Sequence, residues 1–260
     1  MVERVDILAG GHRLEGAWFG GRDPSRALVL LHEGLGSVST WREWPAQLAL
    51  ATGCSVLVYS RLGYGESDPA PLPLPIEYMH REGLDILPEV LDRTDIERAV
   101  LVGHSDGGSI AIIHAGRERR DPRVAGLALL APHVFCEAIS VESIEKAREA
   151  FSSGDLREKL AKHHRDVDSA FFGWNGAWLD PAFRAWNIEA FLPQIEIPVL
   201  VIQGLADPYG TLAHVDAIER GVSGPFERLL LPECGHVPQK DRPEETTAAV
   251  LSFARRALAV

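Results

Sequence analysis

This 260-residue sequence has no long apolar run, few cysteines and fewer basic than acidic residues. The longest apolar runs, such as Ala27–Leu31, have the length of a strand, whereas a membrane-spanning helix needs roughly 18 such residues. The three cysteines, Cys54, Cys136 and Cys234, are odd in number and widely spaced. These deficits predict no transmembrane helix and no disulfide framework, and they favour a reducing, cytoplasmic setting.

The shortage of basic charge limits the classes of partner. The chain has 26 Lys and Arg against 37 Asp and Glu, a formal net charge of −11. Such a chain repels phosphate backbones and anionic lipid, so nucleic acid and membrane surfaces are poor partners. Residues 1–6 include acids and lack the apolar stretch of a signal peptide. We therefore expect a small-molecule partner, and a homo-oligomer stays possible.

Short apolar runs alternate with segments of helical length along most of the chain. Continuous Val, Leu and Ile runs separated by helices predict the α/β class, with a mostly parallel sheet covered on both faces. A turn between the first two runs predicts a hairpin that adds an antiparallel edge. The predicted strands are 5–9, 14–19, 26–32, 55–59, 98–103, 124–130, 198–204 and 226–231. The predicted helices are 41–52, 76–91 with an interruption at Pro88, 106–119, 211–220 and 243–258.

One long segment breaks this alternation. Between His133 and Pro193 the pattern is helical, without a good strand. We interpret it as a helical insertion over one end of the sheet, which divides the chain into a core of 1–133 and 194–260 and a cap of 134–193. The cap carries large apolar rings that pack it on the sheet and are candidates to line an apolar pocket: Phe171, Phe172, Trp174 and Trp178.

A Gly-x-Ser-x-Gly motif lies between a predicted strand and a predicted helix. It spans 103–107 and centres on Ser105. The chain must turn so sharply there that its backbone is strained, and the flanking glycines leave no Cβ to clash as the helix folds back on the strand. The turn exposes the serine hydroxyl at the carboxyl end of the sheet, above the positive end of the helix. In this context the motif predicts a nucleophilic serine.

A serine hydroxyl is a weak nucleophile and needs a base, here a histidine held by a carboxylate. For a serine on such a turn, the order along the chain is serine, acid, histidine. Asp207 follows the predicted strand 198–204, and His236 follows 226–231. Both loops leave carboxyl ends of strands, where ligands bind in open α/β sheets. We assign Ser105 as the nucleophile, His236 as the general base and Asp207 as the acid that orients the imidazolium.

The loop after the predicted strand 26–32 is rich in glycine and can turn an N–H group toward the serine. We assign the backbone N–H groups of Gly34 and of Asp106, the residue after the nucleophile, as the oxyanion hole. The Asp106 side chain is expected to stabilise the helix N-terminus by its charge. Glu33 is the charged neighbour of Gly34 and a candidate substrate contact.

These motifs resemble the α/β-hydrolase superfamily over nearly the whole chain. The resemblance is carried by the opening hairpin, 32–36 (His-Glu-Gly-Leu-Gly), 61–67 (Arg-Leu-Gly-Tyr-Gly-Glu-Ser), the Ser105 turn, the insertion, Asp207 and His236. The run Gly-His-Ser-Asp-Gly-Gly is similar to that of the biphenyl hydrolase-like and valacyclovir hydrolase group. The resemblance implies a central eight-stranded sheet flanked by helices, a helical cap after the sixth strand, no cofactor, and hydrolysis through an acyl-enzyme.

The sequence departs from this family's pattern at two positions. Glu33 stands where the oxyanion loop usually has glycine, and Ser60 stands where aspartate usually precedes Arg-x-Gly. Related dehalogenases and epoxide hydrolases use an aspartate nucleophile, and proline iminopeptidases carry a tryptophan after the nucleophile. This chain has Ser105 and Asp106 at those positions, so the resemblance implies neither group. The sequence holds no cluster with metal-ligand spacing, and no metal site is predicted.

Three functions remain open from the sequence. The chain can be a hydrolase of carboxylic esters, thioesters or lactones, a serine hydrolase that cleaves a C–C bond in a ring-fission product, or a small-molecule receptor. The resemblance to amino-acid ester hydrolases implies that Asp106 binds a substrate ammonium group. The basic run 163–165 is interpreted either as a solvated helix face or as a contact for a substrate carboxylate or phosphate. His104 and His114, near the motif, are expected to be structural.

Overall fold

A computed structural model describes residues 2–259, so the outermost residue at each end of the predicted core lies outside the described part. Within it, eight strands form one sheet in the order β1-β2-β4-β3-β5-β6-β7-β8. They are β1 (Val2–Ala9), β2 (His12–Phe19), β3 (Ala27–Leu31), β4 (Ser55–Tyr59), β5 (Ala99–His104), β6 (Val124–Leu130), β7 (Val199–Gly204) and β8 (Phe226–Leu231). β2 pairs antiparallel with β1 and β4, and the other neighbours are parallel. The predicted fold class is confirmed.

Helices cover both faces of the sheet. One face packs against the helices at 78–81, 87–93, 106–115 and 212–221, and the other packs against the helices at 44–52 and 243–258. None of the helices described within 2–259 is long and apolar enough to cross a bilayer. The α-helices are α1 (Trp44–Thr52), α2 (Tyr78–Arg81), α3 (Leu87–Arg93), α4 (Asp106–Ala115), α5 (Ala138–Ser153), α6 (Leu156–Leu160), α7 (Val167–Leu179), α8 (Leu212–Gly221), α9 (Pro238–Asp241) and α10 (Pro243–Leu258). Glu82–Ile86 is π-helical, and Val38–Trp41, Pro181–Ala185 and Glu189–Gln194 are 3-10 helices.

The central strands are apolar along their whole length because both of their faces are covered. Every residue of β3, β4 and β5 is buried, which explains their continuous rather than alternating pattern. Burial of one Val or Leu side chain contributes about 1.5–3 kcal/mol to folding. The carboxyl ends of these strands are therefore held in place by the buried core on both faces of the sheet.

The segment between β6 and β7 is helical and packs through its aromatic residues. Trp178 and Trp186 both contact Phe183, with ring centroids 4.6 and 5.3 Å from it. Trp178 Nε1 also donates a hydrogen bond to the Tyr78 hydroxyl at 3.0 Å, which joins α7 to α2. The rings therefore serve mainly to pack the segment together and onto the rest of the protein.

The predicted helix 76–91 is divided in the structure into α2, a π-helical turn and α3. Pro88 is the second residue of α3 and lies directly after the π-helical turn. The interruption lies just before the proline, in the π-helical turn, where the Gly83 carbonyl accepts a hydrogen bond from His114 Nδ1 at 2.9 Å. A hydrophobic period does not distinguish α from π turns, so the sequence could not predict this form.

The turn between β5 and α4 places Ser105 at the edge of the sheet. Ser105 has φ 52° and ψ −118°, a conformation that non-glycine residues rarely adopt. A Cβ on Gly107 would collide with the Leu31 carbonyl of β3, and a Cβ on Gly103 would collide with the backbone of Gly107. The spacing of the two glycines around the serine therefore follows from close backbone packing at this turn.

Replacing Gly107 with alanine is expected to lower the free energy of unfolding by about 1–3 kcal/mol, because the added methyl group overpacks the turn. Gly176 is the matched control, since it lies in α7 with open space around its Cβ position. There alanine is expected to raise stability by up to about 1 kcal/mol through helix propensity. Urea unfolding measures both variants, and equal effects at the two sites would contradict the packing argument.

Candidate active site

Three side chains from three strand ends meet at the carboxyl edge of the sheet. Ser105 follows β5, Asp207 follows β7 and His236 follows β8. His236 Nε2 lies 2.9 Å from Ser105 Oγ, and His236 Nδ1 lies 2.8 and 3.0 Å from the two carboxylate oxygens of Asp207. The structure thus brings the three residues assigned from the sequence into one hydrogen-bonded chain.

Two further donors hold the Asp207 carboxylate. The Tyr209 N–H donates to Oδ1 at 2.8 Å, and Gln203 Nε2 donates to Oδ2 at 2.8 Å. Burial acts to raise the pKa of Asp207, but the hydrogen bond and charge of His236, together with these donors, hold it below its ordinary value. The ionised carboxylate accepts the Nδ1 proton of His236, so Nε2 is the nitrogen that can accept a proton from Ser105.

Gln203 was not part of the site predicted from the sequence. It is the one side chain with an amide in the otherwise apolar β7, and it is buried. A buried amide needs hydrogen-bond partners, so a glutamine one residue before the end of an apolar strand indicates a polar contact at this edge of the sheet.

A second acid and histidine pair lies beside the first. His104 Nε2 donates to the backbone carbonyl of His236 at 2.7 Å, and His104 Nδ1 lies 3.5 Å from Glu33 Oε2. Burial acts to raise the pKa of Glu33, but His104 lowers it to about 2. Burial would lower the pKa of His104, whereas Glu33 and the His236 carbonyl raise it above its ordinary value.

Among residues 2–259, no group of three or more His, Cys, Asp or Glu could hold a metal ion.

A cavity of about 190 Å³ adjoins Ser105. Gly34 and Asp106 both form part of its wall, and Asp106 begins α4, where the first N–H groups have no partner within the helix. The indole ring of Trp174 in α7 packs directly against Gly34, so closely that a Cβ at this position would collide with it. The cavity is lined by Glu33, Gly34, Leu35, Ser105, Asp106, His133, Ser140, Ile144, Trp174, Trp178, Tyr209, His236 and Val237.

Residues 28–250 match a family model described as the alpha/beta hydrolase family. The chain belongs to the alpha/beta hydrolase family. It is similar to the dihydrolipoyllysine-residue acetyltransferase component of the acetoin cleaving system of Pseudomonas putida, with 29% identity over 274 residues, 95% of this chain and 68% of that protein. It is also similar to epoxide hydrolase A of Mycobacterium tuberculosis, with 26% identity over 299 residues, 89% of this chain and 91% of that protein.

Solved structures share the fold of this alpha/beta hydrolase. The crystal structure of proline iminopeptidase from Mycobacterium smegmatis has a TM-score of 0.79 to it, at 19% identity and with 99% of each chain covered. At that identity the likeness shows the fold alone. The family membership confirms the resemblance that the motifs indicated.

Two of the four rings expected to line a pocket lie elsewhere in this alpha/beta hydrolase. Phe171 is fully buried and stacks on Phe151 of α5 at a centroid distance of 3.8 Å, one helical turn before Trp174. Phe172 is 46% exposed, on the solvent side of α7. Neither residue lines the cavity described above, contrary to the expectation from the sequence. Trp174 and Trp178 do line it, because they lie four residues apart on one face of α7.

The Asp106 side chain lies in the first turn of α4, the helix whose N-terminus it was expected to stabilise, and it faces the protein interior. It is fully buried, accepts a hydrogen bond from the Tyr78 hydroxyl at 2.5 Å, and lies 3.8 Å from the Arg61 guanidinium. Burial raises the pKa of Asp106, and Arg61 and Tyr78 offset part of this effect. Arg61 and Tyr78 both contact Oδ2, whereas Oδ1 is buried without a hydrogen-bond partner among the described residues, so the contact with a substrate ammonium group stays a prediction.

The basic run 163–165 fastens the segment between β6 and β7 to two loops of the core. Its side chains contact residues 35–39 and 65–67, and His164 contacts both loops. The contacts are His163 Nδ1 with Ser39 Oγ (2.8 Å), His164 Nε2 with the Leu35 carbonyl (2.9 Å), His164 Nδ1 with the Gly65 N–H (3.1 Å) and Arg165 Nη2 with the Ser67 carbonyl (3.0 Å). Neither sequence interpretation anticipated this role, since it depends on loops that lie far away in the chain.

The free energy of unfolding should respond to pH through His133, a buried residue of the cavity wall. Burial, followed by the neighbouring histidines, holds the pKa of His133 well below its ordinary value of about 6.5. Below about pH 6.5 the unfolded chain binds a proton at His133, whereas the folded protein keeps this side chain neutral. The contribution of neutral His133 to the unfolding free energy is therefore complete above about pH 6.5 and is lost as the pH falls.

Replacing His133 with glutamine is expected to make the unfolding free energy less dependent on pH. Its slope between about pH 5 and 6.5 should decrease by up to about 1.4 kcal/mol per pH unit, the effect of one proton. Urea titrations of both proteins at several pH values measure the slopes. An unchanged slope would show that His133 takes up its proton in the folded state as readily as in the unfolded state.

Proposed function

We propose that this chain is a serine hydrolase that cleaves carboxylic esters, thioesters or lactones of small to medium size through an acyl-enzyme. One observation carries the proposal: the hydrogen-bonded chain from Ser105 Oγ through His236 to the ionised Asp207. Membership of the alpha/beta hydrolase family supports it. The arrangement supplies what a serine hydroxyl lacks, which is a base held in the correct tautomer.

Acylation begins when Ser105 Oγ attacks the carbonyl carbon of the substrate and His236 Nε2 accepts its proton. The carbonyl oxygen becomes an oxyanion, for which the N–H groups of Gly34 and Asp106 are the proposed donors. The imidazolium, stabilised by Asp207, then donates its proton to the leaving alcohol or thiol. The substrate's acyl group remains as an ester on Ser105.

Water completes the reaction by attacking this ester. His236 accepts a proton from the water molecule as its oxygen adds to the acyl carbon, and the second oxyanion occupies the same two N–H groups. Collapse of this intermediate breaks the bond to Ser105 Oγ, which regains its proton from His236. The carboxylic acid then leaves.

The volume and lining of the cavity favour a substrate group of small to medium size and apolar character. Its volume of about 190 Å³ holds a small to medium group, and Trp174, Trp178 and Ile144 make the wall largely apolar. We propose that the two tryptophans contact a partly aromatic acyl group, and that Glu33 contacts a polar part of the substrate near the oxyanion loop. A ring-fission product with a cleavable C–C bond would use the same three residues and is therefore included among the test substrates.

Epoxide hydrolysis is disfavoured although an epoxide hydrolase is a relative. A serine oxygen that opened an epoxide would form an ether, which His236 and water cannot hydrolyse as they hydrolyse an ester. The aspartate nucleophile of the related epoxide hydrolases avoids this problem by forming an ester, and this chain has Ser105 in that position.

Replacing Ser105 with alanine is expected to lower the kcat for p-nitrophenyl butyrate by at least about 1,000-fold, because loss of the nucleophile removes the covalent route. A fluorophosphonate probe should label the original protein once, on the peptide that contains Ser105. The control is Ser153→Ala, at the exposed end of α5. Ester turnover that survives Ser105→Ala, or labelling at another residue, would contradict the assignment.

Replacing Asp207 with asparagine tests the role of the charge at nearly constant size. The asparagine amide donates to His236 Nδ1 and so favours the wrong tautomer, and kcat is expected to fall by about 10⁴. Steady-state kinetics with the same ester gives the ratio, and circular dichroism checks that the variant is folded. A folded variant that keeps more than a tenth of the original kcat would exclude Asp207 as the partner of the base.

A further inference from the structure

The Arg61 side chain is buried under the loop that contains Gly34. Only 3% of the side chain is exposed. Its Nη1 donates to the His32 carbonyl at 2.5 Å, and its Nη2 donates to the Glu33 carbonyl at 3.0 Å. A planar guanidinium can bridge two carbonyls in this way, whereas a lysine ammonium has no such fork.

The His32 ring also donates a hydrogen bond to the Glu33 carbonyl. Its Nε2 lies 3.0 Å from the backbone N–H of Arg61, which can only donate, so Nε2 accepts and Nδ1 carries the proton. That proton is donated to the Glu33 carbonyl at 2.7 Å. The ring is neutral, since burial and then the Arg61 charge hold the pKa of His32 well below its ordinary value.

Together with the Gly36 N–H, which donates to the Glu33 carbonyl at 3.1 Å within the loop, Arg61 and His32 determine where the Gly34 N–H points. Both groups belong to one planar trans peptide, in which the C=O and the N–H point in opposite directions. With the oxygen held toward Arg61 and His32, the N–H faces away from them. Hydrogen bonds to a peptide oxygen also polarise its N–H, which makes it a stronger donor.

The same guanidinium reaches the other half of the proposed oxyanion hole. Its Nη2 lies 3.8 Å from Asp106 Oδ2, and Asp106 supplies the second N–H. We infer that Arg61 is a positioning residue, which orients the Gly34 N–H through the Glu33 carbonyl and holds Asp106 in register with it. This inference rests on the proposed function, because only a developing oxyanion uses these two donors.

The test compares Arg61→Lys and Arg61→Met with the original protein. Arg61→Met is expected to lower the kcat for p-nitrophenyl butyrate by about 100- to 1,000-fold, the effect of losing one oxyanion donor, while KM changes less than about threefold. Arg61→Lys keeps the charge but not the fork, so an intermediate loss is expected. If Arg61→Met does not fold, the kcat and KM of Arg61→Lys are compared with those of the original protein instead.

A transition-state analogue separates positioning from a general structural effect. Ser105 Oγ adds to a trifluoromethyl ketone, its proton passes to His236, and the former carbonyl oxygen becomes an oxyanion. The inhibition constant of this ketone is expected to rise by the same factor as kcat falls. The affinity for the matching methyl ketone, which remains a neutral carbonyl, is expected to change less than about threefold.

The controls distinguish the ways in which the inference can fail. Arg98→Met removes another arginine that donates to a backbone carbonyl, that of Ala257 at 2.8 Å, but at the amino end of β5, the edge of the sheet opposite Ser105, and should leave kcat unchanged. Fluorophosphonate labelling to completion counts intact sites. If kcat per labelled site and both ketone affinities match the original protein in the Arg61 variants, Arg61 has no positioning role. If instead Ser105→Ala retains turnover, the proposed function itself fails.

Discussion

The parallel order of β3, β5, β7 and β8 decides where chemistry can occur in this protein. Their carboxyl ends lie at one edge of the sheet, so the loops that follow them bring together residues far apart in the sequence. These residues are Gly34, Ser105, Asp207 and His236. Because the strands are buried and their backbones are paired, the positions of these groups are set before any substrate binds. Such preorganisation is what stabilises a developing charge at low cost in reorganisation.

Charge compensation is the second constraint on the site. A charge buried alone in the interior is strongly unfavourable, so buried charges are paired or hydrogen-bonded. Here each acid of the site lies beside a basic side chain. The pairs are Asp207 with His236, Asp106 with Arg61, and Glu33 with His104. The site therefore combines an apolar wall with acids whose charges are balanced locally, which suits a neutral ester better than an ionic substrate.

Much of the fold and of the three-residue chain could be predicted because both depend on local signals. Continuous apolar runs identify buried strands, and Ser105, Asp207 and His236 each follow such a strand. The contacts of Asp106 could not be predicted, because Arg61 and Tyr78 come from distant segments. Phe171 lies one turn from the cavity on the same side of α7 as Trp174, and a helical period does not show which turn of a helix lies above a cavity. Phe172 lies on the solvent side of α7, so its distance from the cavity follows from the helical period itself.

The most direct measurement is rapid-quench mass spectrometry of the protein during turnover of an ester with a good leaving group. An acyl-enzyme on Ser105 should appear as a mass increase equal to the acyl group, located by peptide mapping on the peptide that contains Ser105, and should disappear as the ester is consumed. An acyl group on another residue, or ester hydrolysis with no covalent adduct at any quench time, would rule out Ser105 as the nucleophile.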